Sequence, residues 1–151
     1  RVTTAQEMYE VVYQNYLDKD ILIFAAAVAD YTPSQVADQK IKSSNEGMTI
    51  ALEKTKDIAA EIGKIKKEGQ FMVGFALETE NETTNALGKL IKKNLDMIVL
   101  NSLNDKGAGF SYDTNKITII DRDNKQETFE LKHKSKVAKD IIQAVVSRYG
   151  K

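Results

Sequence analysis

Lys89 and Lys93 stand four residues apart in a polar stretch patterned as a helix from about Glu82 to Lys93, with Lys92 beside them. At that spacing two ammonium groups share one helix face. They repel each other, and a phosphate would relieve the repulsion; a solvated face explains the pair as simply. Lys40 and Lys42 flank Ile41 in an irregular segment. Mobile lysines can close over a polyphosphate as point charges, and an exposed basic loop is the plainer alternative. Asp30 ends the run Ala25-Ala26-Ala27-Val28-Ala29, whose small side chains let a ligand approach the backbone closely. An acid at the carboxyl end of a parallel strand suits a ribose hydroxyl or a metal-bound phosphate. Equally, the alanines could admit a close-packed helix while Asp30 caps a turn. Gly74-Phe75-Ala76-Leu77-Glu78-Thr79 repeats the situation. There Phe75 could stack on a base and Glu78 could hold a metal, against a core phenylalanine beside a turn acid. Gly107-Ala108-Gly109 could offer backbone N–H groups to an anion, but it runs into no helix and lacks the Lys-Ser/Thr of a phosphate loop. His133, between Lys132 and Lys134, reads as a surface residue.

The elements that must position these groups follow from patterning. Thr4-Ala5-Gln6-Glu7 is a capping box, and Met8, Val11, Val12 and Tyr16 recur along one helix face. The near-continuous apolar run from Ile21 to Ala29 predicts a parallel strand buried on both faces. Residues 31–47 hold the only proline, Pro33, and are expected to form a long loop. Met48 to Leu52 alternates like a strand. Asp57 should cap a helix with Ile58, Ile62 and Ile65 on one face, ending near Gly69. Phe71 to Ala76 and Leu95 to Asn101 read as two more buried strands. Lys116 to Ile120 and Glu127 to Leu131 flank polar residues and predict an antiparallel hairpin. A last helix from about Ser135 to Tyr149 aligns Val137, Ile141, Val145 and Tyr149. The order predicts an α/β fold, a mostly parallel sheet with helices on both faces and an antiparallel hairpin near the C-terminus. Ligands in such folds bind beyond the carboxyl ends of the strands. That directs attention to Asp30 onward, Phe75 to Glu80 and Asn101 to Phe110.

Composition narrows the chemistry. The 151 residues suit a single domain, 1–151. Lys plus Arg and Asp plus Glu are 22 each, so the net charge is zero, which argues against a nucleic-acid partner. Balanced overall charge, with cations and small residues at strand ends, favours a phosphorylated small ligand such as a nucleotide. The chain has no Cys, which excludes disulfides and a thiolate nucleophile, and a single His, which excludes a multi-His metal site. No apolar run is long enough to span a membrane, and no signal peptide is evident, so a cytoplasmic location is expected. The chain begins at Arg1, not Met, and reads as a fragment or an isolated domain.

Thr4-Ala5-x-Glu7-Met8, Ala25-Ala26-Ala27-Val28-Ala29-Asp30-Tyr31, Lys40-Ile41-Lys42, Lys54-Thr55-x-Asp57-Ile58, Val73-Gly74-Phe75-Ala76-x-Glu78-Thr79 and Lys93-Asn94-Leu95-Asp96 follow one another in order. Together they resemble the phosphopantothenoylcysteine synthetase family, the ligase half of a bifunctional flavoprotein of coenzyme A biosynthesis. The resemblance covers essentially the whole chain. It implies a Rossmann-like three-layer fold, a homodimer and a two-step reaction. CTP and 4'-phosphopantothenate, with Mg²⁺, give an acyl-cytidylate and pyrophosphate; the cysteine amine then displaces CMP. By position, the resemblance assigns Phe24, Ala25 and Ala26 to the strand end lining the CTP site, and Asp30 to a nucleotide-contacting acid. Lys40 falls in a mobile basic motif over the reactants, its catalytic lysine; that motif usually reads Lys-x-Lys-Lys and here reads Lys40-Ile41-Lys42-Ser43. Glu53 to Lys56, with Lys54 and Thr55 central, corresponds to a nucleotide-contacting segment that usually carries Pro where Lys56 stands. Phe75 corresponds to the aromatic near the base, and Lys89 and Lys93 to two phosphate contacts. The resemblance gives no metal ligand. It also implies that a first strand with a Gly-rich turn, an Asn-containing segment and the FMN-binding decarboxylase domain lie outside this chain, so that the chain alone is expected to be weakly active or inactive. Two other readings stay open: a Rossmann-like nucleotide-binding domain of an NAD(P)-dependent oxidoreductase, though the chain lacks Gly-x-Gly-x-x-Gly, and a non-enzymatic dimerisation module using the hairpin at 116–131.

Overall fold

The computed structural model describes residues 1–42, 47–102, 104 and 112–150. Helix α1 (Ala5–Asn15) starts with the predicted capping box: Glu7 N–H donates to the Thr4 side chain, and the Glu7 carboxylate accepts from the Thr4 backbone N–H. The Thr3 backbone N–H, then the Thr4 backbone N–H and the Thr3 hydroxyl, hold the Glu7 carboxyl below its ordinary range. A short 3₁₀ turn, Tyr16–Asp18, leads to β1 (Ile21–Phe24). Strands β2 (Tyr31–Pro33) and β3 (Leu52–Lys54) follow, then α2 (Ile58–Ile65), β4 (Phe71–Glu78), α3 (Glu82–Lys92) and β5 (Met97–Ser102). The chain closes with β6 (Thr114–Asp121), β7 (Gln126–His133) and α4 (Lys134–Arg148).

The main sheet has the order β1-β4-β5-β6-β7. β1, β4 and β5 are parallel neighbours, and β6 runs antiparallel to both β5 and β7. Four strands therefore share one direction, and the predicted C-terminal hairpin supplies the reversal. Side chains alternate between two buried clusters. On one face Leu22, Met72, Ala76 and Ile98 pack beneath Ile58 and Ile62 of α2, Ala86 and Leu90 of α3, and Met8 and Val12 of α1. On the other, Val73, Met97, Val99, Ile117 and Ile119 pack beneath Val137, Ile141, Ala144 and Val145 of α4. This is the expected three-layer arrangement.

Several local expectations are corrected. The apolar run at 21–29 is a strand only to Phe24, and β1 lies at the edge of its sheet with Ile21 and Ile23 exposed. Without a helix over its outer face, the run is covered on one side only. The segment expected as loop contains β2, paired antiparallel with β3 as a separate small hairpin. The strand expected at 48–52 begins only at Leu52, because the pairing is set where Thr55 N–H donates to Asp30 O (2.9 Å) and Ser34 N–H to Ala51 O (3.0 Å). Helix α2 ends at Ile65, well before Gly69, whose φ of +85° makes it a turn glycine. His133 is exposed, as expected, and also caps α4, its Nδ1 accepting from Ser135 N–H. The Gly-rich stretch 107–109 and Ser43 lie outside the described residues.

A polar knot locks the amino ends of β4 and β5. Asp96 accepts from Met72 N–H (2.6 Å) and pairs with Lys66 (2.6 Å) and Arg122 (3.1 Å). Arg122 also donates to Leu95 O and to Asn94. Asn94, in the left-handed region at φ +52°, donates to Gly63 O (2.7 Å). Of the resemblance motif at 93–96, Asn94 and Asp96 thus brace α2 and α3 against the sheet.

Candidate functional site

Strand β1 stops at Phe24, level with Gly74, while β4 continues to Glu78. Past Phe24 the chain turns irregular through the small residues 25–29, and Gly74 opposite is buried under the Leu95 side chain, 2.5 Å from where a Cβ would stand. The roof comes from the start of α2 and the last turns of α3. A cavity of about 150 Å³ results. Small-molecule pockets usually begin at roughly 300 Å³, so this cavity is too small to enclose a whole ligand of that size.

Of the residues expected at a nucleotide site, Phe24, Ala26, Asp30, Thr55, Phe75, Lys89 and Lys93 line this cavity, together with Lys56 and Asp57. Ala25, Lys54 and Lys40 do not; Lys54 ends β3, and Lys40 sits exposed between β2 and β3. Phe24 shares the helix-covered face with Leu22. Phe75 borders the cavity from β4, but it packs with the cluster beneath α4, on the opposite face from Phe24. The two rings therefore do not form one stacking slot.

Long-range bonds fix the floor and rim. Thr55 Oγ donates to Ala29 O (2.5 Å), tying the irregular segment after β1 to the approach to α2. Asp57 caps α2, its Oδ1 accepting from Ala60 N–H (3.1 Å). Its Oδ2 pairs with Lys93 Nζ at 3.0 Å. Burial pushes the Asp57 carboxyl up, but the Lys93 hydrogen bond, the Ala60 N–H and the charges of Lys93 and Lys92 outweigh it and hold the pKa below its ordinary value. Lys89 Nζ pairs with Glu78 Oε1 at 2.5 Å, and the other Glu78 oxygen accepts from Asn85 (3.3 Å). Lys56 lies over the Tyr9 ring, 4.0 Å from its centre. The like-charged lysines of α3 are thus each offset by a carboxylate from another element. Both lysines line the cavity, and each ammonium group, with one carboxylate partner, retains further N–H donors.

Sequence reasoning found the α3 lysines from their spacing. It missed Glu78 as a lysine partner, leaving it open between a metal ligand and a turn acid. It saw Asp57 only as a cap, and it did not foresee Lys56 held against Tyr9. Among the described residues no group of three or more His, Cys, Asp and Glu side chains converges as a metal site, and no helix is long and apolar enough to cross a membrane.

Fold and cavity together define a three-layer α/β domain with a cavity lined by lysines and aspartates past the end of a parallel strand. Residues 1–149 match the DNA/pantothenate metabolism flavoprotein C-terminal domain family, and the chain belongs to it. It is 43% identical over 146 residues to the coenzyme A biosynthesis bifunctional protein CoaBC of Bacillus subtilis (strain 168), covering 97% of this chain and 36% of that protein. It is 56% identical to a cysteine/cysteine sulfinic acid decarboxylase of an unknown prokaryotic organism, covering 97% of this chain and 41% of that one. The chain therefore spans only about two fifths of these relatives. The crystal structure of the C-terminal domain of a CoaBC protein superposes with a TM-score of 0.76 at 36% identity, covering 97% of this chain and 65% of that one.

Proposed function

We propose that this domain belongs to a CTP-dependent phosphopantothenate–cysteine ligase of coenzyme A biosynthesis. The observation that carries the reading is the convergence of Asp30, Thr55, Lys89 and Lys93 on one cavity past β1. The family membership and the CoaBC relatives support it. In this reading Phe24, Ala25 and Ala26 line the nucleotide, Asp30 contacts it, and the segment with Lys54 and Thr55 flanks it. Phe75 borders the base from β4. Lys89 and Lys93 bind the phosphates and stabilise negative charge as pyrophosphate leaves. Lys40, on the exposed segment between β2 and β3, closes over the reactants and is the catalytic lysine.

The reaction joins the carboxylate of 4'-phosphopantothenate to the α-phosphate of CTP with loss of pyrophosphate. The cysteine amine then attacks the acyl carbonyl, and CMP departs as the amide forms. Holding two anions together supplies much of the rate enhancement in such a step, so fixed cations matter more than a nucleophile from the protein. Mg²⁺ would accompany the CTP phosphates and neutralise charge on them, and no protein ligand is assigned to it. FMN belongs with the decarboxylase domain that the resemblance places outside this chain. A homodimer and a cytoplasmic setting complete the proposal.

The test supplies CTP, 4'-phosphopantothenate and cysteine, and follows pyrophosphate and the coupled thiol product. Formation of both, dependent on CTP and abolished by Lys40→Ala, supports the assignment. Product without nucleotide, or NAD(P)H-linked turnover instead, contradicts it.

A further inference from the structure

We propose that Glu78 is the positioning residue of Lys89, presetting its ammonium group for the nucleotide phosphates. The inference rests on the ligase reading above and adds a residue to it. Glu78 ends β4, and its side chain is only 12% exposed, while that of Lys89 is 43% exposed. A carboxylate so enclosed is costly unless a cation compensates it. Among the described residues the cation that does so is Lys89, at 2.5 Å. The second Glu78 oxygen receives a long hydrogen bond from Asn85, which also donates to Glu80 O and so fixes the acid from behind.

Lys89 is a long side chain with large rotamer entropy, and its neighbour Lys93, one turn on, repels it. Unrestrained, it would swing into solvent. Glu78, itself outside the cavity lining, fixes the ammonium group of the cavity-lining Lys89 and takes one of its three N–H donors, leaving the others for an anion. Asp57 holds Lys93 in parallel, but it is also the cap of α2, so its removal would perturb a helix as well as a lysine. Glu78 has no capping duty, so its contribution to Lys89 can be isolated.

The experiment is a double-mutant cycle on the protein, read as CTP affinity by calorimetry in Mg²⁺. It uses wild type, Glu78→Gln, Lys89→Ala and the double variant, with melting curves to confirm folding. If Glu78 acts through Lys89, Lys89→Ala weakens CTP binding at least tenfold in wild type but less than threefold in the Glu78→Gln background. Glu78→Gln then adds nothing to Lys89→Ala. An equal loss from Lys89→Ala in both backgrounds overturns the proposal while leaving the phosphate site intact. If Lys89→Ala has no effect on CTP in wild type, the site reading itself fails and the proposal falls with it. Should Glu78→Gln not fold, Glu78→Asp carries the same cycle. It keeps the charge but retracts it by one methylene, and an undiminished Lys89→Ala loss in that background overturns the proposal.

Discussion

Replacing Gly63 with alanine tests how closely α2 must approach α3 for the site to exist. A Cβ built at Gly63 falls 2.0 Å from Lys93 O and 2.9 Å from Lys93 C. Those atoms are backbone, so no side chain can swing aside, and the two helix ends must part. Overpacking of this kind costs about 3 kcal/mol at the upper end of its usual range. Alanine inside a helix recovers about 1 kcal/mol over glycine, leaving a net loss of about 2 kcal/mol. Gly88 is the control: it lies within α3, with nothing within 4 Å of an added Cβ. Gly88→Ala should therefore stabilise by about 1 kcal/mol. Urea titrations followed by circular dichroism should place the variants on opposite sides of wild type, about 3 kcal/mol apart from those two sums. In melting temperature that is roughly 4–8 °C down for Gly63→Ala and roughly 2–4 °C up for Gly88→Ala. Because Lys93 is displaced by the first change, CTP affinity should fall with it. Two variants of equal stability would refute the close packing of α2 against α3.

Asp57→Ala removes the cap of α2 and should cost about 1 kcal/mol near neutral pH, measured by denaturant midpoint. The folded pKa of Asp57 lies below its ordinary 3.8, so its contribution is present above that value and is lost as pH falls through the lower folded value. The stability gap between wild type and the variant should accordingly close in acid and stay constant from pH 6 to 8, to about 0.3 kcal/mol. Asp96→Asn leaves Lys66 and Arg122 without their shared carboxylate and weakens the bond from Met72 N–H; hydrogen bonds to charged groups put the loss at about 2–3 kcal/mol by denaturant titration. A loss below about 0.5 kcal/mol, as for ordinary surface substitutions, would mean that the knot is decorative.

Local signals carried well from sequence to structure. The capping box at Thr4 and Glu7 and the cap at Asp57 depend on neighbours within a few residues, and both formed. The shared face of Lys89 and Lys93 follows from helical period alone. The edge position of β1 was not legible, since an apolar run says nothing about whether a helix covers its outer face. Nor was the facing of Phe75: β4 is apolar on both sides, so alternation gives no phase to separate it from Gly74 and Ala76. Asp57 and Glu78, each set beside its lysine by the packing of a different element, are products of tertiary structure. The cavity itself arises from a mismatch no pattern reveals, β1 stopping at Phe24 while β4 runs on to Glu78.

The most direct test of the central claim is a calorimetric titration with CTP and with ATP in Mg²⁺, on the wild-type protein and on Lys89→Ala. The account predicts that CTP binds more tightly than ATP. It predicts also that Lys89→Ala weakens CTP binding about 10–100-fold, the worth of a hydrogen bond to a charged group. A folded protein that binds no CTP, or binds it equally well without the lysine, would contradict the account.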